Sequence, residues 1–177
     1  MLSNAELIIL SLVNEKPSYA YEIEKQIETK SMRLWVRIGI ASIYQVLTRL
    51  NGKGYLEFKI EREGKAPERK RYCITESGQE ILKSSIKDAL GKLEWYYLDL
   101  NLAIDGSDIL SSEEIRDCLK HRLDTVRYSL EKLRLDISEL PHKSKESMIK
   151  RNVLALRLTE EKIVENLLEE FETYRSE

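Results

Sequence analysis

The chain has 177 residues, of which 42% are hydrophobic and 34% charged, with only 3 Pro, 7 Gly and a formal net charge of −2. That hydrophobic share excludes a disordered chain, and the charge content suits long solvated helices in one domain or two small ones. The longest apolar stretch, Leu7 to Val13, is far short of a membrane span, the first residues carry no secretory-signal pattern, and Cys73 and Cys118 make neither a disulfide framework nor a metal cluster. A cytoplasmic protein with no membrane partner, cofactor or metal is expected.

Ser3 is placed to cap a first helix whose apolar positions are Leu7, Ile8, Leu10, Leu12 and Val13, closed by Asn14 and Pro17. Ser18 is placed to cap a second, with Tyr21, Ile23 and Ile27 inward. Arg33 to Gly39 reads as a connection anchored by Leu34 and Trp35. A third helix is predicted from Ala41 to Lys53, with Ile43, Val46, Leu47 and Leu50 as its inward stripe. The period then changes. Leu56, Phe58 and Ile60 alternate with Glu57, Lys59 and Glu61, the pattern of a half-buried strand. A turn containing Gly64 and Pro67 leads to a return strand from Arg71 to Thr75. Three helices followed by a hairpin make a winged helix-turn-helix layout.

The remainder is predicted helical. Thr75 can cap one long helix from Glu76 to Leu100. After a break at Gly106, Ser111 and Glu114 have capping-box spacing. The helix they open carries Leu119, Leu123, Val126, Leu130, Leu133, Ile137 and Leu140 in a heptad rhythm that ends at Pro141. A last helix from Lys145 has Ile149, Val153, Leu156, Ile163, Leu167, Phe171 and Tyr174 inward, interrupted by Glu160. The expected fold class is mostly α with a small β-hairpin wing. Residues 1–78 form a winged helix-turn-helix domain, and residues 79–177 a helical, coiled-coil-like domain.

The charge is unevenly spread. Arg33 to Tyr72 holds 10 Lys and Arg against 4 Asp and Glu, a local +6, whereas Ile81 to Glu177 holds 16 against 20, or −4. Charges further apart than about 8 Å are screened at physiological salt, so the acidic half does not cancel the basic one. A basic third helix and hairpin offer a surface for nucleic-acid phosphate. Ser42, Gln45, Thr48 and Arg49 lie opposite the inward stripe of the third helix. Such residues form either a solvated face or a base-reading face, and the neighbouring hairpin favours the second. Lys59, Arg62, Lys65, Arg69, Lys70 and Arg71 crowd the hairpin. Of these, Lys65, Arg69 and Lys70, and less directly Arg71, are the expected phosphate contacts. There is no phosphate-cradling glycine loop, nucleophile elbow or His-Glu-x-x-His, so enzymatic chemistry is not expected.

The segments ELIILSLV, YEIEKQIE from Tyr21, SIYQVLTRLNGKGYLE from Ser42 and RKRYCITESG from Arg69 together resemble the PadR family of transcriptional regulators. The resemblance spans the first 80 residues, and the helical tail is similar to that of the family's longer branch. Two departures stand out. Tyr19-Ala20 replaces His-Gly before the second-helix tyrosine, and Ala41-Ser42-Ile43-Tyr44-Gln45 replaces Gly-Ser-Leu-Tyr-Pro. Gln45 thereby brings an amide that can pair with adenine.

The resemblance implies a dimeric repressor on duplex DNA, often released by a small molecule, with Tyr21 and Tyr44 close to the DNA backbone. Both tyrosines also read as plain core aromatics. Leu119, Leu123, Val126, Leu130, Leu133, Ile163, Leu167 and Phe171 are the candidate dimer contacts. Trp35, Trp95, Tyr96 and Tyr97 are either core or the lining of a pocket for a flat aromatic effector. The competing function is a winged-helix protein-interaction module that docks a partner through its tail.

Overall fold

A computed structural model describes residues 2–62 and 68–174, with side chains as far as Phe171. Lys65 and the Tyr174 side chain lie outside the described residues. The chain divides into two compact units, residues 1–94 and 95–177.

In the first unit, helix α1 (Asn4–Glu15) starts where Ser3 and Glu6 cap each other: the Glu6 N–H donates to Ser3 Oγ at 3.3 Å and the Ser3 N–H to Glu6 Oε2 at 2.9 Å. Ser18 does not cap the second helix. Ser18–Tyr19 is a short strand, β1, with Ser18 buried and its hydroxyl donating to the Lys16 carbonyl. Tyr19 takes the cap position of α2 (Ala20–Thr29), its N–H donating to Glu22 Oε2 at 2.9 Å. A 3-10 turn at Met32–Leu34 leads to α3 (Ile40–Gly52). Strands β2 (Leu56–Glu61) and β3 (Arg69–Ile74) follow, and β3 lies centrally in an antiparallel sheet of order β1-β3-β2. The expected hairpin thus gains a third strand. Leu56 and Tyr72 are buried on the sheet's inner face, whereas Ile60, expected inward, stands exposed near the wing tip.

Ile9, Leu10, Leu12, Ile23, Ile27, Ile43, Leu47 and Leu50 form the centre of this unit's core. Helix α4 (Glu76–Gly91), capped by Thr75, contributes Leu82 to the same core. At Gly78 the helix presses on the turn before β2 so closely that a Cβ would lie 2.1 Å from the Tyr55 carbonyl oxygen. These contacts explain why the units divide after α4 rather than at the 78/79 boundary expected from the sequence. The long helix expected to Leu100 is broken. It stops at Gly91, the backbone is extended at Lys92, and α5 (Asp99–Asp105) is separate. Glycine and the aromatic run at 95–97 are weak helix formers, and Leu90, Leu93 and Tyr97 are exposed, so no packed face holds the helix there.

The second unit is built on α6 (Ser112–Ser138) and α7 (Lys145–Tyr174), which pack together antiparallel. Ser111 and Glu114 make the expected capping box. Leu119, Leu123, Val126, Leu130 and Leu133 are all buried. Leu140 falls beyond the helix end. On α7 the inward residue is Val164, fully buried, and not Ile163; Leu156 is also exposed. Glu160 lies one turn before Val164. Arg122 on α6 donates to it at 2.6 Å, and Arg157 pairs with it along α7, so a polar cross-link sits inside the helix seam. Arg127 with Glu161 and Glu165, and Lys150 with Asp136, tie the two helices at their edges.

Candidate nucleic-acid interface

Helix α3 is held by its inward stripe, Ile43, Val46, Leu47 and Leu50, all essentially inaccessible. Its outer face carries two strips. Ser42, Gln45 and Arg49 follow one another at i, i+3 and i+7. Tyr44 and Thr48 form the second, with the Thr48 hydroxyl donating to the Tyr44 carbonyl at 3.0 Å. Tyr44 is more than half exposed and Gln45 is exposed, so Tyr44 is not a core aromatic. The helix start lacks a capping side chain; Gly39 occupies the cap in an extended conformation.

The far end of the first strip is tied to α1. Glu6 is only 3% exposed, yet its Oε1 accepts from Lys53 Nζ at 2.8 Å and lies 3.6 Å from Arg49 Nε. Burial alone would raise this carboxyl, but hydrogen bonds from Lys53 and Ser3 outweigh it and hold Glu6 below the ordinary carboxylate range. Sequence reasoning missed Glu6 as part of this surface. Its reach to α3 is a tertiary contact.

The sheet sorts the hairpin cations by strand alternation. Register places Tyr19 and Lys59 opposite Arg71, and Glu61 opposite Arg69, on the outer face. There the Tyr19 hydroxyl donates to Glu61 Oε2, which also lies 3.5 Å from Arg71 Nη1. The hydrogen bond to Glu61 is the main cause that raises the Tyr19 phenol above its usual range. The Arg71 guanidinium stands 5.5 Å from the Tyr19 ring centre. Tyr19 stacks on Tyr21 at 5.5 Å and 9°, and Arg69 covers Tyr21 at 5.7 Å. The result is a laminate of Arg69, Tyr21, Tyr19 and Arg71 joining the wing to the start of α2. Tyr21 is 51% exposed and part of this stack, not of the core. Lys70 points to the other face, its Nζ 4.3 Å from the Phe58 ring centre. An open polar groove of about 460 Å³ runs between Tyr19, Glu61, Arg62 and Arg69.

The other predicted sites fare differently. Trp35, Trp95, Tyr96 and Tyr97 are all exposed, from 41% for Trp35 to 91% for Tyr97, and Trp35 belongs to the first unit while the others open the second. They do not form a buried pocket within either unit. The second unit has an apolar cavity of about 190 Å³ elsewhere, between Leu100, Ile104, Ile115, Leu119 and Phe171, with Arg122 at its edge. The α6 part of the expected dimer stripe, Leu119 to Leu133, is buried within the chain. Leu167 and Phe171 are partly buried against it, leaving Ile163 on the outside.

Three helices, a winged sheet and an exposed polar strip beside it define a winged helix-turn-helix protein with a helical second unit. The model of the transcriptional regulator PadR-like family matches residues 9–84, and the chain belongs to that family. An uncharacterised protein of Lysinibacillus sphaericus is 33% identical over 81 residues, covering 46% of this chain and 73% of that protein. A crystal structure of Bacillus subtilis PadR in complex with operator DNA superposes with a TM-score of 0.79 at 19% identity, over 94% of this chain and 98% of that one. The same protein in complex with p-coumaric acid gives 0.72 at 18% identity over the same shares. The Vibrio cholerae virulence activator AphA gives 0.73 at 14% identity, over 97% and 99%. Among the described residues no helix is long and apolar enough to cross a membrane.

Proposed function

We propose that the chain is a cytoplasmic, dimeric repressor that acts by binding duplex DNA and performs no catalysis. The observation that carries this reading is the polar strip of half-buried Ser42 and exposed Gln45 and Arg49 on a helix whose opposite face is locked in the core. A rigid helix that presents amide, hydroxyl and guanidinium groups suits the major groove. Arg69 on the outer face of the wing, with Tyr21 beside it, and Lys70 on the opposite face over Phe58 are assigned phosphate contacts, and Lys65 is assigned the same role from its sequence position. The structural likeness to a PadR bound to operator DNA supports the same arrangement. A two-fold dimer would present two α3 helices about 10 base pairs apart, or a multiple of that, on a palindromic site.

The second unit serves dimerisation in this reading. With the α6 stripe occupied by α7, the surface this unit leaves for a partner is Trp95, Tyr97, Leu102 and Ile109, each largely exposed. Burial returns about 25 cal/mol per Å² of apolar surface, which favours covering such a segment. An aromatic acid is the effector class suggested by the p-coumaric acid complex of the Bacillus subtilis protein, and Trp95 to Tyr97 would contact it once a partner protomer covers them. The testing experiment is selection of bound fragments from a random duplex pool, with light scattering on the same sample. Enrichment of an inverted repeat by a dimer is expected; binding without sequence preference, or a monomer at micromolar concentration, overturns the reading.

A further inference from the structure

We propose that Glu6 is a positioning residue for DNA recognition: its buried carboxylate, at the start of α1, holds Arg49 of α3 and Lys53 just past the end of that helix, so that the Arg49 guanidinium meets the duplex already ordered. The inference rests on α3 being the reading helix and adds a residue that lies outside it.

A glutamate this deeply buried is unusual unless it is paired. Capping α1 employs only one of its oxygens, since Oε2 alone accepts from the Ser3 N–H. The other, Oε1, is directed to the end of α3, where Lys53 Nζ, at the helix C-cap, donates to it at 2.8 Å and Arg49 Nε stands 3.6 Å away. The two cations are neighbours at i and i+4 on one flank, and the backbone beneath them is fixed because Leu50 is fully buried. Arg49 also ends the strip that begins with Ser42 and Gln45. One carboxylate between two cations leaves the cluster with net positive charge, so it still attracts phosphate. The Arg49 side chain itself remains half exposed and accessible to DNA. Ordering one long side chain on binding corresponds to roughly a two- to tenfold change in affinity, and a contact made in the free protein removes that cost.

Net charge and positioning make opposite predictions for Glu6→Gln. Removing a negative charge beside the interface should tighten DNA binding; removing a positioning group should loosen it. The glutamine retains an oxygen for the Ser3 cap. Affinity is measured by fluorescence anisotropy on the duplex that the wild-type chain enriches, for Glu6→Gln, Arg49→Ala and the double variant, with thermal unfolding of each. Glu6→Gln is expected to weaken binding roughly two- to tenfold, and to weaken it no further in the Arg49→Ala background. Tighter binding, or equal weakening in both backgrounds, overturns the proposal. Should Glu6→Gln fail to fold, NMR of arginine Nε–Hε groups in the unaltered free chain reads the same contact. Arg49 is expected to be ordered and slow to exchange, and mobility equal to that of the exposed Arg37 overturns it. A wild-type chain that enriches no duplex refutes the DNA reading itself, whereas binding indifferent to Glu6 refutes only this inference.

Discussion

The two arginines of β3, Arg69 and Arg71, should behave differently on DNA, although both lie on the strand's outer face. Arg71 is committed within the protein: Glu61 lies 3.5 Å from one of its amino groups and the Tyr19 ring 5.5 Å from its guanidinium. Arg69 lies over Tyr21 nearer the wing tip, with no carboxylate among its described contacts. A phosphate contact by a cation contributes about 0.9 to the slope of log K against log salt. Loss of one contact therefore changes the wild-type to variant affinity ratio by about 3.5-fold between 50 and 200 mM salt. Arg69→Ala should show that loss on specific and random duplexes alike, because phosphate contacts carry no sequence information. Arg71→Ala should keep the wild-type slope. It would loosen the Tyr19 stack and so lower thermal stability instead. The assay is anisotropy titration at five or more salt concentrations for the three proteins. An unchanged slope for Arg69→Ala would place the wing off the DNA. An equal drop for Arg71→Ala would show that its pairing with Glu61 gives way on binding, and would refute the reasoning from the free structure.

Gln45→Ala should leave the fold intact and flatten preference at one base pair per half-site, since a bidentate amide–adenine pair is worth about 1–3 kcal/mol; identical sites selected by wild type and variant would show that Gln45 reads no base. Gly78→Ala should destabilise the first unit by about 2–3 kcal/mol, because the new methyl meets backbone that cannot move aside as a side chain would. Differential scanning calorimetry should then show its transition roughly 10 °C lower. Burial alone would raise the Glu160 carboxyl, but hydrogen bonds from Arg157 and Arg122 hold it below its ordinary value. Its contribution to stability is thus present above the ordinary carboxylate range of about 4.3 and lost as pH falls through the lowered value. Helicity of the second unit followed by circular dichroism should decline in that acid window, and Glu160→Gln should abolish this part of the pH dependence.

Read by itself, the sequence determined the order and type of most elements. Ser3, Thr75, and Ser111 with Glu114 mark helix starts because capping is satisfied within four residues, and the α3 stripe is legible because helical period needs no distant partner. The switch to period two at Leu56 likewise marks the wing. Tertiary structure decided what depends on partners far apart in the chain. Ser18 and Tyr19 became a strand because β3 offered them an edge. The helix from Glu76 ended at Gly91 because no packed face held it further. Val164 rather than Ile163 fills the helix seam, a turn after Glu160, whose partner Arg122 lies 38 residues away on α6. At the interface, chain order made all the cations look equivalent. Only the folded sheet separates Arg71, paired with Glu61, from Arg69, and only the packing of α1 on α3 brings Glu6 to Arg49. Ion pairs and cation–ring contacts depend on distances of a few ångströms between residues remote in sequence, and those distances exist only once the core has set them.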